Sequence, residues 1–509
     1  MKEVIVDGET LAIEDVVAVA RQGVAAKIPE KTRRKVKKAR EALEQLVENK
    51  KTIYGVSTGF GAFGNVTMKP KDLKELQVNL IRSHSSGVGP PLNKEVTRAV
   101  MILRANTLAK GYSGVRLQTL ETLVQMINKG VHPVIPEKGS VGASGDLAPL
   151  SHMVLVMMGE SEAEYQGVVI SGKEAMKKAG IAPVTLDFKE GVALNNGTQM
   201  MTAVAALTVY DAENLVQTAE VAAAMSLEAL CGITDAFDSK IHDARPHRGQ
   251  VESAKNIRNL LSGSRLVKPS YQAVKENEYP QDPYSLRCIP QVLGSVRDAI
   301  GHVKSVVEVE TNSATDNPLV FAENGECLSG GNFHGQPIAA TMDYLAIALA
   351  TLGNFSERRT ARLVDESLSR GLPPFLIADK AKRGLQSGFM TAQYTAAALA
   401  SENKSLAHPA SVDSIPTSAN FEDFVSMGPI AARKAAEILR NTEYIVAIEL
   451  LCAAQGVEFR GAHKLGTGTK AAYNLIRKHV LPLKEDRVVC RDIEALRALI
   501  QDEELAKVK

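Results

Sequence analysis

Residues 212–222 read Ala-Glu-Asn-Leu-Val-Gln-Thr-Ala-Glu-Val-Ala, and this stretch decides the fold class. Its apolar positions Ala212, Leu215, Ala219 and Ala222 recur at intervals of three and four residues, which places them on one face of an α-helix. Small residues on such a stripe allow helices to pack closely. Similar stripes occupy 289–310, 336–363, 388–404 and 429–456. The sequence therefore predicts a mainly α protein with a long central helical bundle.

The N-terminal part is more mixed than the bundle. The stretch 55–64 is too rich in glycine for a helix interior and predicts a loop, and the polar, proline-containing region 262–285 does the same. Other patterns predict a short strand and a small helix in residues 1–25, a charged helix at 31–50, and helical runs at 72–83 and 94–130. We therefore expect a smaller mixed domain at 1–205 and a central and C-terminal helical bundle at 206–509.

Composition favours a small-molecule partner. The 509 residues include 60 Lys+Arg and 58 Asp+Glu, for a net charge of +2, and no long basic block occurs. Such a chain lacks the electrostatic surface that nucleic acids or anionic membranes attract, so we expect neither as a partner. The charged N-terminus has no apolar signal-peptide core, and no uninterrupted apolar stretch of about 20 residues predicts a membrane span.

The cysteines indicate a reducing compartment. There are five, an odd number, and they are widely scattered without metal-ligand spacing or a disulfide framework. We therefore expect a cytoplasmic protein without a structural metal.

The run 139–150 carries the most unusual chemistry, because it contains the small residues Ala143, Ser144 and Gly145 followed by Asp146. Small side chains let the backbone compress until the amide nitrogen of Gly145 reaches the carbonyl carbon of Ala143. Ring closure with loss of one water, and loss of a second water from Ser144, would give an imidazolone with an exocyclic methylidene group. This group accepts amines or electron-rich rings. Alone, the triplet is a weak indication.

Asp146 and the apolar residues after it predict a helix that begins just after the triplet. Its partly positive N-terminus would point at the triplet and stabilise negative charge there. Ordinary capping of this helix would also explain the acidic residue.

Six further motifs accompany the triplet in a specific order between about residue 50 and about residue 430. They are Tyr54-Gly55-Val56-Ser57-Thr58-Gly59-Phe60-Gly61, Ser83-His84-Ser85-Ser86-Gly87-Val88-Gly89, Asn196-Gly197-Thr198-Gln199, Gln281-Asp282-Pro283-Tyr284-Ser285-Leu286-Arg287-Cys288, Gly331-Asn332-Phe333-His334-Gly335 and Glu422-Asp423. With them the chain resembles the aromatic amino acid ammonia-lyases that carry a methylidene-imidazolone group, and within that family the histidine-specific branch.

The resemblance implies a fold, a prosthetic group and an assembly. The fold is a helical bundle with an N-terminal part that carries the triplet loop. The prosthetic group is 4-methylidene-imidazol-5-one, formed autocatalytically from Ala143-Ser144-Gly145, and no metal or dissociable cofactor is required. The assembly is a homotetramer whose active sites are built from loops of three subunits, and the substrate is a small amino acid.

The resemblance also implies roles for individual residues. Tyr54 would remove the Cβ proton of the substrate, for which its phenol must be partly deprotonated. Asn196 would donate a hydrogen bond to the oxygen of the imidazolone. Arg287 would bind the substrate carboxylate through two parallel donors. Tyr284, three residues earlier, would lie on the same helical turn and help in forming the ring and placing the amine. Glu422 would accept a hydrogen bond from an imidazole N–H or transfer a proton.

Other residues would surround the substrate. Gln281 belongs to the polar cluster of Arg287, Phe333 would pack beside the prosthetic group, and Met390 would line the pocket. Outside the family context, a packed tyrosine, a turn asparagine, a surface arginine and core Phe and Met residues are the simpler interpretations of these positions.

Substrate choice depends on His84 and the surroundings of Glu422. A histidine occupies this place in the histidine-specific branch, whereas tyrosine-specific relatives have theirs one residue earlier, where this chain has Ser83. The chain also departs from that branch, because Phe421 and Phe424 replace a glutamine and a histidine. An asparagine is likewise common where Ser57 stands. More apolar surroundings of Glu422 would admit a less polar substrate.

Three functions therefore stay open at this stage. The first is nonoxidative deamination of L-histidine to trans-urocanate and ammonia. The second keeps the imidazolone but uses phenylalanine or tyrosine, as an ammonia-lyase or an aminomutase. The third is a catalytically silent helical assembly protein, against which the intact Tyr54, triplet, Tyr284 and Arg287 argue.

Overall fold

The computed structural model describes residues 3–276 and 278–508. Contacts between Cα atoms divide the chain into two compact units that are each discontinuous in sequence. The first unit contains Met1–Tyr210, Lys304–Asp343 and Pro409–Arg433, and the second contains Asp211–Val303, Tyr344–His408 and Lys434–Lys509. The two-domain division at residues 205 and 206 stays a prediction.

Helices account for most of the described chain. Those before residue 200 are α1 (Ile13–Gln22), α2 (Glu30–Glu48), α3 (Leu73–His84), α4 (Lys94–Ala109), α5 (Leu117–Lys129), α6 (Leu147–Met157), α7 (Gly172–Lys178), α8 (Glu190–Asn195) and the start of α9 (Gln199–Ala229). The later ones are α10 (Ser239–Asp243), α11 (Arg248–Leu260), α12 (Ser270–Lys275), α13 (Tyr284–Arg287), α14 (Ile289–Thr311), α15 (Gln336–Val364), α16 (Met390–Leu406), α17 (Gly428–Arg460), α18 (Thr467–His479) and α19 (Cys490–Gln501).

The strands are short and form only small sheets. They are β1 (Val4–Ile5), β2 (Ala26–Lys27), β3 (Val88–Pro91), β4 (Val131–Pro133), β5 (Pro136–Lys138), β6 (Glu162–Tyr165), β7 (Val168–Ser171), β8 (Leu319–Phe321) and β9 (Glu326–Leu328). β1 pairs with β2 in parallel, whereas β3–β5, β4–β6–β7 and β8–β9 are antiparallel. Short 3₁₀ turns include Gly61–Phe63 and Ser418–Asn420. The predicted mainly α fold, with strands confined to small sheets, is confirmed.

The first unit is built around α4. Every residue from Thr97 to Ala109 is buried, so this helix is covered on all sides. It begins where the side chain of Asn93 accepts a hydrogen bond from the backbone N–H of Val96 at 2.8 Å, which satisfies one of the free N–H groups of the first turn. The helices α1, α2 and α5 pack against it. Two arginines, Arg98 and Arg104, lie inside this core.

Most predicted helix boundaries agree with the structure to within a few residues. The four later stripes correspond to α14, α15, α16 and α17, and the glycine-rich stretch 55–64 is a loop with one 3₁₀ turn. The run 94–130 is two helices, because Gly111 and Gly114 adopt left-handed φ values of 77° and 67° and interrupt it. The region 262–285 contains the short helix α12 as well as loop.

The second unit buries an ion pair between two of its long helices. The guanidinium of Arg359 on α15 donates to both carboxylate oxygens of Glu449 on α17, at 2.5 and 2.7 Å, and both side chains are fully buried. Ser226 and Ser356 donate to the same carboxylate at 2.7 and 2.6 Å. These hydrogen bonds satisfy both oxygens of the buried Glu449 carboxylate, whose charge would otherwise be costly in an apolar bundle.

Among the residues that the structure describes, one helix is long and apolar enough to cross a membrane. It is α15, and 61% of its apolar window is buried within the fold. Core helices of soluble proteins can be equally long and apolar.

The first unit also contains a buried ion pair, and mutation of this pair tests how much it stabilises the fold. Lys189, at the N-terminus of α8, donates to Asp316 at 2.6 Å, and both side chains are inaccessible. The change Lys189→Met leaves an uncompensated buried carboxylate, so we expect a loss of about 3–5 kcal/mol in the free energy of unfolding. Chemical denaturation at fixed protein concentration measures it.

The matched control is Lys178→Met, which breaks an exposed pair with Glu174 on α7. It should cost less than about 1 kcal/mol. Equal losses of unfolding free energy for the two variants would contradict the prediction that the buried ion pair of Lys189 stabilises the fold more than an exposed pair does.

Candidate active site

The candidate site is a cavity of about 1120 Å³ in the first unit. Loops and helix ends from distant parts of the sequence line it, because the first unit collects residues from three segments of the chain. Among the predicted site residues, those that line it are Tyr54, His84, Ala143, Ser144, Asn196, Phe333 and Glu422. The structure therefore brings together seven residues that the sequence predicts to act together.

The triplet is held against a second loop by direct backbone contact. The N–H of Asp146 donates to the carbonyl of Gly197 at 2.6 Å, and Gly145 and Gly197 form an isolated parallel bridge. Gly145 has φ of 72°, and a Cβ there would lie 2.2 Å from the carbonyl oxygen of Gly197. Only glycine fits at this position.

Asn196 contacts the triplet through its side chain. Its Nδ2 donates to the backbone carbonyl oxygen of Ser144 at 2.9 Å. In a ring closed between residues 143 and 145, this carbonyl oxygen is the one that remains as the exocyclic oxygen. The residues present therefore fit an imidazolone at this place, with an amide donor already on that oxygen.

Glu422 is held by two hydroxyl groups. Ser144 Oγ donates to its Oε1 at 2.8 Å, and Thr417 Oγ1 donates to its Oε2 at 2.7 Å. Thr417 and Glu422 also form an antiparallel backbone bridge. Sequence analysis missed Thr417, since one threonine in a polar loop carries no local sign of such a contact.

The backbone between these two residues is strained. Ser418, Ala419 and Asn420 have successive φ values of 51°, 54° and 64°, a left-handed conformation that costs a residue with a Cβ about 1–2 kcal/mol. Ser418 and Ala419 line the cavity beside Glu422. Consecutive left-handed residues without glycine give no turn pattern in the sequence, and only the surrounding contacts maintain them.

Tyr54 accepts a hydrogen bond from the backbone N–H of Gly61 at 2.7 Å. Burial raises the pKa of the Tyr54 phenol, Glu422 raises it further, and the bond from Gly61 opposes them. This direction is opposite to the one that a general base needs. Among the described residues that line the cavity there is no lysine or arginine to lower the pKa.

His84 is the last residue of α3. Its Nδ1 lies 3.0 Å from the hydroxyl of Ser83. Burial lowers the pKa of His84, while the backbone at Leu80 and the charge of Glu422 oppose the change. The imidazole is therefore mainly neutral at pH 7, with one ring nitrogen able to donate and the other to accept.

The two phenylalanines that depart from the histidine-specific pattern lie at the cavity. Phe421 and Phe424 line it, and their side chains are 63% and 60% exposed. Phe424 stacks on His334 with ring centroids 5.9 Å apart and an interplanar angle of 14°. His334 Nδ1 accepts from the backbone N–H of Gln336 at 3.3 Å, which leaves Nε2 to donate to the carbonyl of Phe424 at 3.3 Å. His334 thus anchors the loop that carries Glu422.

The side chain of Asp146 forms a hydrogen bond with the first turn of α9 and not with α6. The helix predicted after the triplet is confirmed as α6, but the capping explanation is wrong, because the Asp146 side chain makes no capping bond to it. Its Oδ2 accepts instead from the backbone N–H of Met201 at 2.9 Å, and its Oδ1 accepts from Ser140 Oγ at 3.2 Å. Complete burial raises the pKa of Asp146 to about 7.

Four predicted site residues lie in the second unit and are not among the residues that line the cavity. Gln281 is exposed, and Met390 is the first residue of α16. Tyr284 and Arg287 share the single turn α13, as predicted, with the guanidinium 4.5 Å from the ring centroid. Tyr284 is 69% exposed. The roles assigned to these four residues stay predictions.

The titration of Asp146 makes stability depend on pH. Folding raises its pKa from an ordinary 3.8 to about 7, so the folded state binds the extra proton between these values. Its contribution to stability is therefore complete below pH 3.8 and is lost as the pH rises through 7. The unfolding free energy of the wild type, relative to Asp146→Asn, should fall by up to about 1.4 kcal/mol per pH unit between pH 5 and 7.

Denaturation of both proteins from pH 5 to 8 measures this difference. The control is Asp7→Asn. Burial raises the pKa of Asp7, but the hydrogen bonds from Glu9 and Thr10 together outweigh it and lower the pKa below its ordinary value, so that Asp7 titrates below this window. Parallel profiles for the wild type and Asp146→Asn would contradict the assignment.

Known proteins are similar to this chain over its whole length. A family model described as aromatic amino acid lyase matches residues 11–478. The histidine ammonia-lyase of Alkaliphilus oremlandii is 55% identical over 505 residues, which cover 99% of this chain and 98% of that protein. The histidine ammonia-lyase of Caldanaerobacter subterraneus is also 55% identical, with coverage of 100% and 98%.

Solved structures agree with these relatives. Tyrosine aminomutase from Streptomyces globisporus has a TM-score of 0.96 at 42% identity, covering 100% of this chain and 98% of the other. Histidine ammonia-lyase from Trypanosoma cruzi has a TM-score of 0.92 at 41% identity, covering 100% and 95%. With the matched family model and the assembled cavity, these similarities establish that the chain belongs to the aromatic amino acid lyase family.

Proposed function

We propose that this protein catalyses the nonoxidative deamination of L-histidine to trans-urocanate and ammonia. The observation that carries the proposal is the triplet carbonyl of Ser144 held by Asn196, with Glu422 and His84 lining the same cavity. Identities of 55% to histidine ammonia-lyases over nearly the whole chain support the choice of substrate. The reaction breaks the Cα–N bond and removes one Cβ proton, which leaves an alkene.

The prosthetic group of the proposal is 4-methylidene-imidazol-5-one formed from Ala143-Ser144-Gly145. It would supply an electrophilic methylidene carbon that withdraws electron density from the substrate. Asn196 would hold its oxygen, since Nδ2 already lies 2.9 Å from the Ser144 carbonyl oxygen. The N-terminus of α6 begins two residues after Gly145 and would stabilise negative charge at the ring.

Glu422 and His84 would bind the substrate ring. The Ser144 hydroxyl that donates to Glu422 leaves as water when the serine is dehydrated, which frees Oε1. That oxygen can then accept a hydrogen bond from an imidazole N–H, and the neutral His84 can pair with the same ring. Phe333 would pack against the substrate side chain.

Tyr54 would take the Cβ proton, and Arg287 would bind the carboxylate. For Tyr54 the raised pKa means that the free phenol is protonated at neutral pH, so a cationic group must approach when the substrate binds. The substrate ammonium and an arginine can both supply that charge. Tyr284 and Gln281 would place the amine, and Met390 would complete the pocket.

We propose further that the protein is a homotetramer with shared active sites, which would bring these residues to the cavity of another subunit. Gln281, Tyr284, Arg287 and Met390 do not line the cavity, although the mechanism needs them there. On α15 the side chains of Tyr344 and Ile347 are each 46% exposed at helical spacing, and Thr351 continues the stripe. Exposed apolar side chains on one helix face, as at Tyr344 and Ile347, are typical of an interface between helices. We extend the proposal to a cytoplasmic location, based on charge and cysteine pattern.

A second substrate class has a specific observation in its favour. Phe421 and Phe424 line the cavity where the histidine-specific pattern has polar residues, and the tyrosine aminomutase is structurally similar. Under this alternative, phenylalanine or tyrosine would be deaminated or converted to a β-amino acid.

The substrate proposal is tested by turnover of purified protein with L-histidine, L-tyrosine and L-phenylalanine. We expect urocanate absorbance to grow with L-histidine, at a kcat/KM at least about 100-fold above the other two, because the polar groups of the cavity need a ring N–H partner. Product analysis by mass spectrometry detects aryl acrylates and β-amino acids. A higher kcat/KM for tyrosine or phenylalanine would contradict the proposal that histidine is the substrate.

The prosthetic group is tested by Ser144→Ala. This change removes the hydroxyl that must leave, so the peptide 139–150 cannot lose the second water and turnover should stop. Ser113→Ala is the matched control, since this buried hydroxyl has no hydrogen-bond partner and lies outside the cavity lining. Turnover retained in Ser144→Ala would exclude the proposed electrophile.

The assembly is tested by Ile347→Glu, which puts a charge on the α15 stripe. We expect the tetramer to dissociate and activity to fall with it, because the sites would be shared. Sedimentation velocity measures the mass. Val274→Glu is the control, since Val274 is a similarly exposed apolar residue, at 53%, on a different helix, α12. An active wild-type monomer would contradict the shared-site proposal.

A further inference from the structure

Arg104 is a cation in the core of the first unit that the proposed chemistry does not use. It lies on α4 and is completely buried. An arginine in such a place needs hydrogen-bond partners for its donors and an explanation for its charge.

The guanidinium binds three parts of the loop region that faces the triplet. Its Nη1 donates to the carbonyl of Asn196 at 2.9 Å and to Oε1 of Gln199 at 2.6 Å. Its Nη2 donates to the carbonyl of Ala193. One planar group thus connects the end of α8, the loop at 196–198 and the first residue of α9. A planar, forked donor can make these bonds at once, whereas an ammonium cannot reproduce their geometry.

The loop is packed tightly onto this group. Gly197 has φ of 151°, and a Cβ there would lie 2.5 Å from Arg104 Nη1. Gln199 is itself held, because its Nε2 donates to the hydroxyls of Thr107 at 3.0 Å and Thr315 at 2.8 Å. Gln199, one of the acceptors of Arg104, is therefore held by two hydroxyl groups as well as by the guanidinium. Together with the close approach at Gly197, this leaves the loop little freedom to shift.

The same loop contacts the triplet and also the residue that follows it. Asn196 donates to Ser144, and Gly197 accepts from Asp146. Because Arg104 binds the backbone carbonyl of Asn196, displacement of the guanidinium would move the amide that lies on the Ser144 oxygen. The path from the cation to that oxygen has two hydrogen bonds, of 2.9 and 2.9 Å.

The stability of the fold does not by itself explain why an arginine is buried at position 104. Burial lowers the pKa of Arg104 to about 10, so the side chain stays charged at neutral pH. Its bonded partners are neutral oxygens, its Nε has no partner, and the nearby carboxylate of Asp316 is bound to Lys189. Apolar residues of similar volume commonly replace buried charged groups without loss of stability.

We propose that Arg104 is a positioning residue that acts through Asn196, orienting its amide on the Ser144 carbonyl for closure of the triplet and for turnover. This inference rests on the proposed function. It predicts effects on ring formation and kcat with little effect on substrate binding, since Arg104 does not touch the cavity.

The experiment compares Arg104→Lys and Arg104→Gln with Arg98→Lys and Arg98→Gln in the full-length protein. Arg98 is the matched control because it is buried on the same helix and donates to the carbonyls of Val19 at 2.7 Å and Ile127 at 3.1 Å, away from the triplet. Both pairs lose a buried arginine, and both should lower Tm. The readouts are the fraction of peptide 139–150 lacking two waters, kcat, and KM for L-histidine.

For Arg104→Lys we expect the dehydrated fraction to fall and kcat, normalised to that fraction, to fall by about 10- to 100-fold with KM nearly unchanged. The Arg98 variants should keep the dehydrated fraction and normalised kcat of the wild type. Equal behaviour of the Arg104 and Arg98 variants would overturn the inference. A wild type without dehydrated peptide or without urocanate would instead reject the proposed function.

A double-mutant cycle separates positioning from general structural support. If Arg104 acts through Asn196, the loss in Arg104→Lys combined with Asn196→Ala should be well below the sum of the single losses in log kcat. Additive losses would overturn the inference.

Should the Arg104 variants fail to fold, Gln199→Met tests the same path. It keeps the guanidinium but removes one of its acceptors. We expect a smaller fall in the dehydrated fraction and in kcat at unchanged KM, and wild-type values for both would overturn the inference.

Discussion

The direct backbone contact between Gly145 and Gly197 is the constraint on which the candidate site depends. Two chain segments can meet this closely only where neither carries a Cβ, and a Cβ at Gly145 would lie 2.2 Å from the Gly197 carbonyl oxygen. The contact brings the Asn196 amide onto the Ser144 carbonyl. It also brings the starts of α6 and α9 to the same place, because each helix begins within two residues of one of these glycines. The placement of the Ser144 carbonyl against the Asn196 amide thus depends on the packing of two glycines.

A strained turn places the carboxylate of Glu422 against the hydroxyl of Ser144. Three consecutive left-handed residues, 418–420, lie between Thr417 and Glu422, and the bridge between those two residues closes the turn. Strain of this kind persists only where other contacts maintain it. Here the Thr417 hydroxyl, the Ser144 hydroxyl and the His334 anchor at Phe424 supply those contacts. The carboxylate is therefore held in position before a substrate binds.

The electrostatics of the cavity favour the protonated form of the Tyr54 phenol. Burial and Glu422 raise the pKa of Tyr54, and the residues described at the cavity include no lysine or arginine that would oppose them. The arginine and tyrosine expected to contact the substrate lie in the second unit. Under the proposed function, Tyr54 therefore needs a positive charge from the substrate or from an arginine before it can act as a base.

The sequence by itself determined the helical class, most helix boundaries and the identity of the triplet. These properties depend on local periodicity and on residue size, which can be observed in a short window of sequence. It also identified seven residues that line one cavity, but through motif resemblance rather than spacing, since Tyr54 and Glu422 are separated by most of the chain.

Only the tertiary structure decided which distant residues hydrogen-bond to the site. Asp146 accepts from the first turn of α9, and Thr417 and His334 bind the loop that carries Glu422. Arg104 donates to the backbone carbonyl of Asn196. Each of these contacts joins residues that are distant in sequence or related through an unusual backbone conformation. No local pattern encodes them, because their energy comes from burial and hydrogen bonding that exist only after the chain has folded.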